Sequence, residues 1–152
     1  MTLRDQLQTA LKEAMKAKAP ERLSTLRLIN AAIKDRDIAL RGTGGDSQIS
    51  DDDILAVLGR MVKQRQESAR VYEEGGRLEL AQKELDEIGV IEEFLPRQLT
   101  PDEIETVITA AIAETSATGI RDMGRVMAHL KASYTGQMDF GTVGPMIKTR
   151  LA

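Results

Sequence analysis

The chain contains no cysteine, no tryptophan, a single histidine, four prolines and only 3% aromatic residues. Without cysteine there can be no disulfide framework, thiolate metal site or thiol nucleophile. His129 alone cannot build a multi-histidine metal centre, and it leaves one imidazole for acid–base chemistry. So few aromatics argue against a platform that stacks single-stranded bases. The sequence has no long apolar run and no basic-then-apolar leader, so neither a membrane span nor export is expected, and a cytoplasmic location is. What remains is 152 residues, 41% hydrophobic and 30% charged, enough for one domain or two small ones with cores of their own.

The formal net charge of −3 hides a strong segregation. Residues 1–41 carry nine basic and five acidic side chains, and residues 54–71 set Arg60, Lys63, Arg65 and Arg70 against Glu67. The stretch 84–114 has nine acids against Arg97 alone. From 119 onward Arg121, Arg125, Lys131, Lys148 and Arg150 face only Asp122 and Asp139. Screening confines each charge to about 8–10 Å, so a polyanionic partner would respond to such patches more than to the total. Solvated helix faces also account for charge runs of this size.

Apolar spacing reads as helical almost throughout. Thr2 is a candidate N-cap for a stripe through Leu3, Leu7, Ala10, Leu11 and Ala14, and Pro20 can open the next helix. That helix continues through Leu26, Ile29 and Ile33 to Gly42, and Gly42–Ser47 reads as a flexible loop. Ser50 with Asp51, Asp52 and Asp53 marks a third helix start, from Asp51 to about Glu74 and closed by Gly75-Gly76. Adjacent helix positions point about 100° apart, so these three acids do not converge on a metal ion. A fourth helix from about Leu78 to Phe94 stops before Pro96. Three shorter helices follow, near 101–115, 122–132 and 140–151. The expected fold is all-α. An N-terminal helical domain, 1–96, has about four helices, two of them long, and a three-helix C-terminal domain spans 97–152.

A screen for chemistry finds little. Gly42-Thr43-Gly44-Gly45 lacks the Lys-Ser/Thr of a P-loop and follows a helix where a P-loop follows a strand. No Gly/Ser-rich loop is present for a Ser–Lys amidase, and Ser24, Ser68 and Ser133 stand isolated on helices. His129 has no carboxylate three or four positions away and reads as structural or solvent-facing. Glu84, Asp86, Glu87, Glu92 and Glu93 read as the wet face of the fourth helix. No cofactor, metal or catalytic residue is expected. Two basic features survive: Arg60, Lys63 and Arg65 on the third helix, and Arg121, Arg125, Lys131, Lys148 and Arg150 in the tail. Gly124 inside a helix costs about 1 kcal/mol relative to alanine, which implies a close approach by another helix or by a partner's backbone.

The ordered motifs Thr25-Leu26-Arg27, Lys63-Gln64-Arg65 with Glu67-Ser68, Arg77-x-Glu79-Leu80-Ala81-x-Lys83-Glu84, Phe94-Leu95-Pro96-x-Gln98-Leu99 and Met123-Gly124-x-Val126-Met127 resemble the YqeY family of small bacterial proteins. The tail is also similar to the C-terminal domain of the GatB subunit of tRNA-dependent amidotransferases, where it helps to hold the tRNA. The resemblance implies an association with tRNA, and amidotransferase or aminoacyl-tRNA synthetase subunits as partners. It also carries a description as a carbon–nitrogen ligase with glutamine as amido-N-donor. The resulting expectation is a non-catalytic tRNA-associated module whose eight named cations touch phosphate. Its rivals are a ligase component acting with other subunits, and a protein-interaction adaptor that meets a basic partner through the acidic 84–114 face.

Overall fold

A computed structural model describes residues 2–43 and 48–152, and every regular element among them is helical. The order is α1 (Leu3–Lys16), α2 (Pro20–Gly42), α3 (Asp51–Glu74), α4 (Leu78–Glu92), α5 (Pro101–Glu114), a 3-10 turn (Ile120–Asp122), α6 (Met123–Tyr134) and α7 (Phe140–Leu151). The chain forms two compact units, Met1–Leu95 and Pro96–Ala152. Of the loop read as flexible, Gly44, Gly45, Asp46 and Ser47 lie outside the described residues.

Local chemistry sets the helix ends. Thr2 and Asp5 exchange hydrogen bonds with each other's backbone N–H in a full capping box, and Thr100 and Glu103 do the same at α5. The Ser50 hydroxyl accepts from the Asp53 N–H, while the three first-turn aspartates sit at the positive end of the α3 dipole. Gly76, at φ 74°, makes the left-handed step that turns α3 back along α4. Two boundaries differ from the sequence reading. α4 ends at Glu92, because Phe94 and Leu95 donate to Ile91 and Glu92 in tightened turns before Pro96. α6 begins at Met123, within a residue of the expected start, and runs on past Ala132 to Tyr134.

In the first unit Leu7, Ala10 and Ala14 of α1 meet Leu26, Ile29 and Ile33 of α2, Ile54, Leu58 and Met61 of α3, and Ile91 of α4. The α3–α4 hairpin is the most extensive pairing, with Ala69 and Ala81 both buried. Asp37 of α2 is buried too, gripped by both guanidinium nitrogens of Arg4 at 3.1 Å and by the Ile49 N–H at 2.8 Å. In the second unit Ile108 and Ala111 of α5, Val126 and Leu130 of α6, and Val143, Ile147 and Leu151 of α7 close a smaller core. Its entry segment is pinned to the turn after α6. Leu99 donates to the Gln137 carbonyl at 2.9 Å, and the Gln137 side chain donates to the Arg97 carbonyl at 3.1 Å. Gly136, at φ 81°, gives that turn its left-handed residue.

Candidate nucleic-acid interface

Apart from Arg97, which pairs with Glu103 ahead of α5, the second unit's cations stand on α6, α7 and the turn before α6. Gly124, Arg125, Ala128, Lys131 and Ala132 are all exposed, and their three- and four-residue spacings put them on one solvent side of α6. Arg121, also exposed, extends that side from the 3-10 turn. No acid occurs between Met123 and Met138. Asp122 organises the entrance: one carboxylate oxygen accepts from the Thr118 and Gly119 N–H groups at 2.8 and 3.3 Å, and the other pairs with Arg125 at 3.2 Å. The Thr118 N–H above all, then the Gly119 N–H and the charges of Arg125 and Arg121, hold the Asp122 carboxyl below the usual aspartate value against its desolvation. The Lys131 ammonium lies 5.9 Å from the Phe140 ring centroid, a cation–π contact that leaves its outer side in solvent.

A Cβ added at Gly124 would meet nothing within 4 Å, and the residue's φ lies outside the left-handed region. Neither packing within the chain nor backbone strain therefore requires glycine here. Close approach by another helix among the described residues is therefore not what keeps glycine here.

The remaining cations separate. Lys148 is exposed on α7, and Arg150, two residues on, is turned about 200° away around the helix. The Arg150 guanidinium hydrogen-bonds the Glu105 carboxylate and the Thr109 hydroxyl of α5, so it closes the helical unit. On α3, Arg60 and Lys63 are exposed and share a side with Glu67 and Arg70, and Arg70 pairs with both Glu67 and Glu74. Arg65 lies on the other side. Its Nε donates to Glu87 of α4 at 2.8 Å and its Nη1 to the Met61 carbonyl at 3.2 Å, with only 14% of the side chain exposed. The structure thus sets Arg65 apart from Arg60 and Lys63.

Two further polar features escaped the sequence reading. His129 finds its carboxylate on the neighbouring helix, with Nε2 2.6 Å from Glu114, a partner 15 residues away that helical spacing could not supply. In the first unit an open groove of about 770 Å³ separates the start of α2 from α4. It collects Thr25, Glu79 and Lys83 from the motifs quoted above, together with Glu87, the partner of Arg65. Polar groups there answer one another: Arg22 pairs with Glu93, Gln82 donates to Asp86 at 2.8 Å and Thr25 donates to the Glu21 carbonyl. Among the described residues, no three metal-ligating side chains gather, and no helix is long and apolar enough to cross a membrane.

These two helical units, with a cationic side on α6 and an open groove beside α4, have relatives among known sequences. The pattern of the family described as Yqey-like protein matches residues 4–151, and the chain belongs to that family. It is also similar to a protein of Clavispora lusitaniae named altered inheritance of mitochondria protein 41, mitochondrial, with 36% identity over 89 residues. That match covers 59% of this chain and 49% of the relative, so the chain matches about half the length of that protein.

Proposed function

We propose that the protein is a non-catalytic, tRNA-associated helical module that grips the phosphate backbone of folded RNA through the solvent side of α6. The observation that carries this reading is the row Arg121, Arg125 and Lys131 around the bare backbone at Gly124, on a helix with no acidic residue. Phosphates can approach such a surface closely, and cations there position a duplex without reading its sequence. Lys148 adds a contact from α7, and Arg60 and Lys63 supply a second strip on α3. Recognition of this kind is by shape, which suits the chain's scarcity of stacking aromatics. The module works in the cytoplasm, beside an amidotransferase or an aminoacyl-tRNA synthetase that holds the same tRNA.

The test is tRNA binding across a salt series. Every phosphate that a variant no longer neutralises should flatten the slope of log affinity against log salt by roughly 0.7–0.9. Arg125→Glu combined with Lys131→Glu should therefore weaken binding and reduce the slope by about 1.5. A slope unchanged by this pair rejects the α6 face.

A further inference from the structure

We propose, resting on the RNA-binding reading of α6, that Asp122 is a positioning residue of that face, whose carboxylate holds the Arg125 guanidinium ready for phosphate. On charge grounds an acid is out of place here. Asp122 is the one carboxylate in residues 119–138, and beside Arg121 and Arg125 it repels the polyanion that those cations attract. Its contacts supply the reason for it. Oδ2 accepts the Thr118 N–H at 2.8 Å and the Gly119 N–H at 3.3 Å, which fixes the carboxylate to the backbone ahead of α6. Oδ1 is left to face the first turn of the helix, where it lies 3.2 Å from Nη2 of Arg125, three residues on.

Exposure separates the two partners. The Asp122 side chain is 22% exposed and tied to backbone, whereas that of Arg125 is 55% exposed. The acid is therefore the anchor and the arginine the group it steers. A guanidinium carries five N–H donors, and pairing through Nη2 leaves those on Nε and Nη1 for a phosphate. A long side chain ordered before binding loses less rotamer freedom when the phosphate arrives.

The experiment is a double-mutant cycle with the full chain and fluorescently labelled bulk tRNA at fixed salt, using Asp122→Asn and Arg125→Gln. Asparagine keeps an oxygen for the Thr118 and Gly119 N–H groups and removes the charge that holds Arg125. Asp122→Asn should weaken binding about threefold when Arg125 is present, the scale of an exposed ion pair. In the Arg125→Gln background it should tighten binding about twofold, because only the repulsion is relieved. A purely structural role would weaken both backgrounds by the same factor, and circular dichroism melts check each variant. Equal effects in the two backgrounds, or tighter binding by Asp122→Asn with Arg125 present, would overturn the positioning role alone. An affinity unchanged by Arg125→Gln would instead remove Arg125 from the RNA face and this role with it. The free protein gives a second readout. Side-chain NMR should find the Arg125 guanidinium ordered in the wild type and freely rotating in Asp122→Asn, and equal mobility in both would reject the hold whatever the RNA does.

Discussion

Replacing Asp37 with alanine should unfasten three elements at once. The carboxylate is 8% exposed and takes two parallel hydrogen bonds from Arg4 of α1, while the same side chain accepts the Ile49 N–H just ahead of α3. Removing one member of a buried ion pair costs about 3–5 kcal/mol, chiefly because the other charge is stranded. Arg4 keeps 23% of its side chain in solvent and can partly rehydrate, which points to the lower end, about 3 kcal/mol. For a unit of this size that corresponds to a fall in melting temperature of about 12–24 °C. The measurement is urea unfolding followed by hydrogen-exchange protection at the Ile29 and Leu58 amides, whose side chains are fully buried in that core. A cycle with Arg4→Met isolates the pair from the Ile49 contact. Acid gives an independent readout. Burial pushes the Asp37 carboxyl up, but the Arg4 hydrogen bonds, the Ile49 N–H and the charges of Arg4 and Arg41 outweigh it and hold the group below its ordinary 3.8. A depressed folded pKa contributes stability above the unfolded value and loses it as pH falls through the folded one. The wild-type acid limb below about pH 4 should therefore flatten in Asp37→Asn. A loss under about 1 kcal/mol for Asp37→Ala would refute the clasp.

Two other perturbations have equally definite signs. The two hydrogen bonds from Arg97, with the Thr100 N–H, lower the Glu103 carboxyl to about 2. An NMR titration should find Glu103 ionised well below the ordinary glutamate value, its contribution fading only between the unfolded value near 4.5 and about 2, and Arg97→Gln should raise it part of the way back, the Thr100 N–H still holding it down. Arg65→Met should destabilise the first unit by about 1–3 kcal/mol through the Glu87 carboxylate it strands, while leaving the salt slope of tRNA binding unchanged; a flatter slope would return Arg65 to the interface.

The helices were readable because their signals are local. Thr2, Ser50 and Thr100 each stand immediately before the first residue of a helix, and Gly76 and Pro96 stand at the stops, so each boundary is written within a few residues of itself. The misjudged ends have the opposite character. α6 runs two residues past Ala132 to Tyr134 and α4 stops two short of Phe94, ends with no capping side chain in the sequence to mark them. The clasp at Asp37 was invisible for a similar reason, since its partners lie 33 residues before and 12 after.

The candidate interface was legible as a set of charges and illegible as a surface. Arg60, Lys63 and Arg65 fall within one and a half turns and look alike in sequence. Yet Arg65 is rotated onto the stripe of Ile54, Met61 and Ala69, where the close-packed α4 helix offers Glu87 to hold a guanidinium at a half-dry seam. Arg150 is withdrawn in the same manner by Glu105, a residue of the acidic stretch 84–114. Carboxylates of that stretch therefore pair with arginines across helix seams, as Glu87 does with Arg65 and Glu105 with Arg150, and so sort the cations by whether another helix holds them. Net charge is blind to this sorting. The side of α6 stands apart because the helix itself carries no acid: Asp122 at its entrance pairs with Arg125 at 3.2 Å, yet Arg125 keeps 55% of its side chain in solvent where Arg65 keeps 14%, so the contrast between the two arginines is one of burial.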